Sequence, residues 1–410
     1  SGEYKDSINP ATYQQIGQYA EGGLHEAQQG IKAAKRSFAE TPWKDDRNLR
    51  AQVLLELADA FERNADELIA MLALENGKIK PEATFEVTAV PSKLRYYAAM
   101  ARAEYGRAAE PKPGKISIVI RQAVGVAGII VPWNSPVILM VRSLAPALAA
   151  GCTAVIKMPG QTAQTNALVA RIISESVSLP RGVINLFSEL GSAGSKHLIE
   201  SPQVPVISFT GSTATGRAIA AAGAQSLKRF GLELGGKTPM LVFNDADLDA
   251  AVPTLEKALT VFAGQFCMTG SRVLVQRDIA PALIERLAAR LQAVRVGPAA
   301  DPSRQARKAQ SEGIGEADAA EELVGTCATE EEVVTVAARD DVVAGVAVAD
   351  EVAGAGVGQV LDLGREGVVR QYRAHFIDAA IDRFDHHCAS IADDVGVVAG
   401  AAAQLDTAKR

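Results

Sequence analysis

Between residues 124 and 212 the chain repeats one pattern: a short apolar run rich in β-formers, a loop, then a helical run. Val124–Val131 is continuously apolar, and Thr153–Ile156, Val183–Phe187 and Val206–Phe209 are further short strand-like runs. Thr165–Ser176 reads as a helix between two of them. Short strands that alternate with helices predict a parallel, helix-covered sheet of the α/β class. Upstream, Val53, Leu54, Leu57, Phe61, Leu68 and Leu72 recur at helical steps, which predicts one long helix over 48–76 with Gly77 as its C-cap. Pro111-Lys112-Pro113-Gly114 breaks the helical region, Ile116–Ile120 reads as a strand, and 278–295 as an amphipathic helix.

A chain of 410 residues exceeds one ordinary core, so two or three domains are expected. With 48% hydrophobic and 22% charged residues it has the composition of a soluble globular protein. A net charge of −6 gives no electrostatic reason to expect nucleic acid or an anionic membrane as a partner. No run of apolar residues is long enough to span a bilayer, and Ser1-Gly2-Glu3-Tyr4 begins no signal pattern. Cys152, Cys267, Cys327 and Cys388 form no CxxC pair, which fits a reducing, cytoplasmic setting.

The composition changes sharply after Pro302. All 18 prolines lie at or before that residue, and 303–410 contains no Pro, Asn, Met or Trp. A folded domain normally carries proline at roughly 5%. A shifted reading frame in a GC-rich gene would give such a stretch.

Chemistry is concentrated in two glycine-bearing segments. Cys267 lies in Gly264-Gln265-Phe266-Cys267-Met268-Thr269-Gly270, and Glu233 in Leu232-Glu233-Leu234-Gly235-Gly236-Lys237. A thiol is only a few per cent thiolate at neutral pH, yet thiolate is a strong nucleophile toward carbonyl carbon. A carboxylate can activate the water that releases the acylated thiol. Ser208-Phe209-Thr210-Gly211-Ser212-Thr213-Ala214-Thr215-Gly216 predicts a strand running into a helix start, a place where backbone N–H groups meet phosphate. Its Gly-x4-Gly spacing is neither the usual dinucleotide fingerprint nor a P-loop.

These segments, together with Val131-Pro132-Trp133-Asn134 and Ile156-Lys157-Met158-Pro159, occur in an order that resembles the aldehyde dehydrogenase superfamily over residues 1–302. The resemblance implies a doubly wound parallel-sheet cofactor domain (1–104 and 124–235), an oligomerisation β-arm (105–123) and an α/β catalytic domain (236–410). It implies oxidation of an aldehyde through a Cys267 thiohemiacetal and a thioester, with Asn134 holding the oxyanion and Glu233 as base. Lys157 would bind the adenosine ribose, Gly211, Ser212 and Gly216 the pyrophosphate, and Ile130, Trp133 and Leu234 other parts of the cofactor. The likeness further implies a homodimer or homotetramer.

Two departures qualify that picture. Relatives that prefer NAD usually carry Glu three residues after the lysine, where this chain has Gly160. Without that carboxylate, Lys157 is expected to accept a 2′-phosphate, so the expectation is NADP or use of both cofactors, and a glutamate installed at 160 is expected to favour NAD. The family's later Glu-Ile-Phe-Gly-Pro motif is absent after Cys267. The alternative reading is therefore a catalytically impaired relative that binds nucleotide or serves structurally. A relative passing its acyl group to coenzyme A is disfavoured by the retained Glu233. His386-His387-Cys388 sits too tightly spaced to converge on one ion, so no metal is expected.

Overall fold

The computed structural model describes residues 2–103, 105–299, 333–337 and 347–348. The His386-His387-Cys388 segment, Cys327 and most of the compositionally distinct tail lie outside the described residues.

Strands β1 (Tyr4–Ile8) and β2 (Gln15–Ala20) form an antiparallel pair, followed by helix α1 (Leu24–Glu40). Helix α2 (Arg47–Arg63) starts where the Asp46 carboxylate accepts from the amides of Asn48 and Leu49, both at 2.9 Å, satisfying two of its orphan donors. The single helix expected over 48–76 is interrupted. Asn64 ends α2, with its side-chain amide donating to the Ala60 carbonyl and to Glu175, and α3 (Ala65–Met71) follows. A short polar side chain competes with the backbone ladder, and apolar periodicity does not register that competition. Leu72–Asn76 then forms a π-turn, closed by Gly77 in the left-handed conformation that glycine adopts most cheaply (φ 76°). Helix α4 (Lys80–Ala103) leads into the hairpin β3 (Arg107–Lys112) and β4 (Lys115–Val119).

Five strands then build the main sheet. They are β5 (Val126–Ile130), β6 (Thr153–Pro159), β7 (Ile184–Glu189), β8 (Val206–Gly211) and β9 (Arg229–Leu234). Helices α5 (Pro136–Ala149), α6 (Ala163–Ser174), α7 (Ala193–Glu200) and α8 (Thr213–Ala224) connect them in turn. All pairings are parallel, and the spatial order is β7-β6-β5-β8-β9. The direction of winding therefore reverses between β5 and β8, leaving a crevice at the carboxyl ends of those strands.

Alternate residues of each strand face opposite layers. Ala154, Ile156 and Met158 of β6 join Ile129 in a core with α2, α4, α5 and α6, whereas Val155 joins Val126 and Ile130 in a core with α1, α7 and α8. Beyond β9, strands β10 (Pro239–Val242) and β11 (Arg272–Gln276) pair in parallel, and β12 (Val333–Ala337) adds antiparallel to β11. Helices α9 (Leu248–Thr260) and α10 (Ala280–Gln292) share a separate core with β10 and β11.

The π-turn places Glu75, 1% exposed, under the start of α6. Its carboxylate accepts from the amides of Gln164 (2.8 Å) and Thr165 (2.7 Å) and from the hydroxyls of Thr165 (2.8 Å) and Ser7 (2.6 Å). One buried acid thus ties β1, the π-turn and α6 together. Replacing it strands several buried donors, each worth about 1–3 kcal/mol when left unpaired. Glu75→Ala is expected to destabilise the fold by about 3 kcal/mol, seen as a lower urea midpoint with an unchanged slope. A loss below about 0.5 kcal/mol would contradict this role.

Candidate active site

Strand register gathers the candidate cofactor residues along one edge of the sheet. Ile130 pairs with Lys157 on one side and with Phe209 on the other, while Thr210 pairs with Glu233 and Gly211 with Leu234. At the end of β8, Ser212 caps α8, its hydroxyl accepting from the Thr215 amide at 3.1 Å. A Cβ on Gly211 would fall 2.4 Å from the Phe209 ring, and one on Gly216 2.5 Å from Leu234 Cδ2. Bare backbone at both positions lets the α8 N-terminus close against β8 and β9. The helix amides at the α8 start suit a diphosphate-bearing dinucleotide, so the residues present fit the group.

Lys157 is half-buried, and burial pushes its pKa down, opposed by the negative charges of Glu189 and Glu21. Both acids are buried. Glu189 accepts from the amides of Gly194 (2.6 Å) and Ser195 (3.2 Å) at the start of α7, and Glu21 from those of Leu190 (2.9 Å) and Gly191 (3.2 Å). Gly160 is buried as well. A Cβ there would lie 2.6 Å from the Tyr19 hydroxyl and 2.8 Å from the Leu190 backbone nitrogen. A glutamate at 160, expected from the sequence to favour NAD, is accommodated only if the Leu190 backbone moves.

The Cys267 turn is built by three consecutive left-handed residues, Phe262 (φ 52°), Ala263 (φ 54°) and Gly264 (φ 75°). For the two that carry a Cβ this conformation costs roughly 1–2 kcal/mol each. Gly264 alone adopts it without penalty. Strain of this kind persists only where the surroundings hold it. Here the Phe262 amide donates to Glu82 at 2.7 Å, and the Phe262 ring lies 4.8 Å, edge-on, from that of Phe266. Cys267 is a free, exposed thiol, flanked by Met268 on the surface.

Asn134 and the Cys267 turn meet directly. The Asn134 amide Nδ2 donates to the Gln265 carbonyl at 2.8 Å, two residues before Cys267. That bond uses one of its two N–H donors.

Glu233 stands apart from the thiol. Its carboxylate pairs with Arg142 at 3.8 Å, and Arg142 also donates to the Thr210 hydroxyl at 2.8 Å. Among the described residues no hydrogen bond joins Glu233 to Cys267. Glu233 is 66% exposed, and a pair so exposed is worth at most about 1 kcal/mol, too little to pin the side chain.

Sequence reasoning overlooked the residues that support this site. Arg142, inside an apolar helix, was a visible signal. So was Glu75-Asn76-Gly77-Lys78, a polar run interrupting an apolar helical pattern, of which only Gly77 attracts notice as a cap.

Comparison with known proteins agrees with this geometry. The aldehyde dehydrogenase family profile matches residues 1–321. A hydroxyisobutyraldehyde dehydrogenase of Mycolicibacterium austroafricanum is 37% identical over 306 residues, 74% of this chain and 60% of the relative. The betaine aldehyde dehydrogenase of Bacillus subtilis is 35% identical over 72% of this chain and 60% of its own length. The chain thus spans about three-fifths of the length of these relatives. Among solved structures, the betaine aldehyde dehydrogenase of Staphylococcus aureus in complex with NAD+ superposes with a TM-score of 0.73 at 31% identity, covering 75% of this chain and 61% of that one. An NADP-dependent enzyme of E. coli gives a TM-score of 0.70 at 32% identity, covering 74% and 63%. The parallel sheet order and these matches agree: the chain belongs to the aldehyde dehydrogenase family.

Proposed function

We propose that the protein oxidises an aldehyde to the carboxylic acid with NAD(P), using Cys267 as nucleophile, Asn134 as oxyanion donor and Glu233 as base. The observation that carries this reading is the Asn134–Gln265 hydrogen bond, which joins the donor loop to the nucleophile turn. The Cys267 thiolate attacks the aldehyde carbon, and the carbonyl oxygen takes up the negative charge. The free N–H of Asn134 and the Cys267 amide then act as oxyanion donors, each typically worth about 10²–10³ in rate. When bound, the nicotinamide supplies the hydride acceptor. Glu233 then removes a proton from the water that cleaves the thioester and restores the thiol.

Ile130, Trp133, Lys157, Gly160, Gly211, Ser212, Gly216 and Leu234 are the proposed cofactor contacts. Lys157 supports recognition of a 2′-phosphate, and Gly160 brings no opposing carboxylate. Glu21 and Glu189 act in the other sense, favouring the ribose diol of NAD. We therefore read the site as one that uses both cofactors.

We also assign residues 1–104 and 124–235 to cofactor binding, 105–123 to an oligomerisation arm and the chain from 236 onward to catalysis. On the arm Ile116, Ile118 and Val119 are exposed on a two-stranded ribbon, which supports a homodimer or homotetramer joined there. Cys152 and Cys267 are free thiols, in keeping with the reducing cytoplasm. Among the described residues no helix is long and apolar enough to cross a membrane.

Cys267→Ser is expected to abolish aldehyde oxidation while NAD(P) binding, measured by fluorescence quenching, stays intact; turnover within tenfold of the parent would remove Cys267 from the role of nucleophile. In Glu233→Gln, stopped-flow absorbance should retain a burst of NAD(P)H ahead of a steady state slowed tenfold or more. Loss of the burst itself would assign Glu233 to thiol activation instead. Lys157→Met should lower kcat/KM with NADP at least tenfold more than with NAD, since one unit charge on the 2′-phosphate contributes more than 1.4 kcal/mol in a partly screened site. An unchanged ratio would place the 2′-phosphate away from Lys157.

A further inference from the structure

The segment between the π-turn and the first turns of α4 touches both loops of the proposed reaction centre. Lys78 and Glu86 form an ion pair with side chains only 2% and 1% exposed. Lys78 also donates to the Ser135 hydroxyl at 3.0 Å, and its ammonium sits 4.3 Å from the centre of the Phe262 ring. Glu86 accepts from the amides of Val137 (2.9 Å) and Ile138 (3.3 Å), in the first turn of α5. One residue pair therefore grips Ser135 and the α5 start, next to Asn134, and the left-handed turn that leads to Cys267. Asn76 adds a bond to the Trp133 carbonyl at 2.6 Å, and Glu82 the bond to the Phe262 amide.

We infer that Lys78 and Glu86, with Glu82, are positioning residues that set the Asn134 donor against the Cys267 turn. This rests on the assignment of Asn134 and Cys267 made above. A buried ion pair is a poor source of net stability, because desolvation offsets the attraction. Its distinctive property is direction. An ammonium with three donors and a carboxylate with fixed acceptor sites can hold several segments at set angles, whereas apolar side chains of equal volume cannot. A strained turn in particular needs such a hold, since it relaxes once its contacts are released. None of the three residues touches the reacting atoms, so each acts through Asn134 or Cys267.

The test compares the parent with Lys78→Met/Glu86→Gln, which removes both charges together and keeps an acceptor for the α5 amides. Three quantities are read at a temperature well below the unfolding midpoint: the single-turnover rate of NAD(P)H formation with the best of a panel of short aliphatic and aromatic aldehydes, the Kd of NAD(P), and the rate of Cys267 alkylation by iodoacetamide. Alkylation needs an accessible thiol but no oxyanion donor. The expected result is a tenfold or greater fall in the single-turnover rate, with cofactor Kd and alkylation rate within threefold of the parent. A single-turnover rate within threefold of the parent overturns the inference, whatever happens to the melting temperature. Should the double variant not fold, Glu82→Ala, at a partly exposed position, is expected to slow the same step at least fivefold, and an unchanged rate again overturns the inference. A parent that forms no NAD(P)H with any aldehyde overturns the functional assignment itself, and this inference with it.

Discussion

Charged and amide side chains buried between Glu75 and Glu86 are the constraint around which this fold is arranged. A buried charge without a partner costs far more than a hydrogen bond returns, so each group dictates where another segment must lie. Glu75 requires the amides that begin α6, and Glu86 requires those that begin α5. Lys78 requires Glu86, Ser135 and the face of Phe262. Two helix starts and the Cys267 turn are thereby fixed relative to one short stretch of backbone. The π-turn and the left-handed Gly77 let that stretch present successive polar side chains in different directions, which a regular helix would not.

The parallel sheet was legible because its signal is redundant. Strands buried on both faces read as continuous apolar runs, and four of the five, β5 to β8, fall close to where those runs predict. Cys267 and Glu233 stood out because each lies beside glycines in a distinctive segment; Cys267 does lie in a turn, whereas Glu233 is on strand β9, just before Gly235-Gly236. Helices α1 and α4 were not picked out. Helix α4 carries Pro91 inside it, and a proline argues against a helix in local reasoning. The break at Asn64 and the polar grip of Lys78, Glu82 and Glu86 depend on partners far along the chain, which periodicity does not encode. Likewise, Gly160 reads in sequence as a missing carboxylate. In space it is a position already filled by the Tyr19 hydroxyl and the Leu190 backbone, with the negative charge supplied by Glu21 and Glu189.

Electrostatics divides the crevice into two regimes. Around Lys157 the acids that face it, Glu21 and Glu189, are buried and little screened. The pair between Arg142 and Glu233 is exposed and weak, so it does little to fix the carboxylate. That asymmetry suits the two tasks. Under the proposed function, binding would benefit from a preorganised site, and a base that acts after hydride transfer would benefit from being only weakly held.

The most direct measurement of the central claim is the mass of the protein caught between the two half-reactions. Glu233→Gln mixed with NAD(P) and an aldehyde, then quenched in acid within the burst, should gain the mass of one acyl group, removable by hydroxylamine and mapping to the peptide that contains Cys267. An adduct on another residue, or NAD(P)H formed with no covalent adduct at any quench time, would contradict the account.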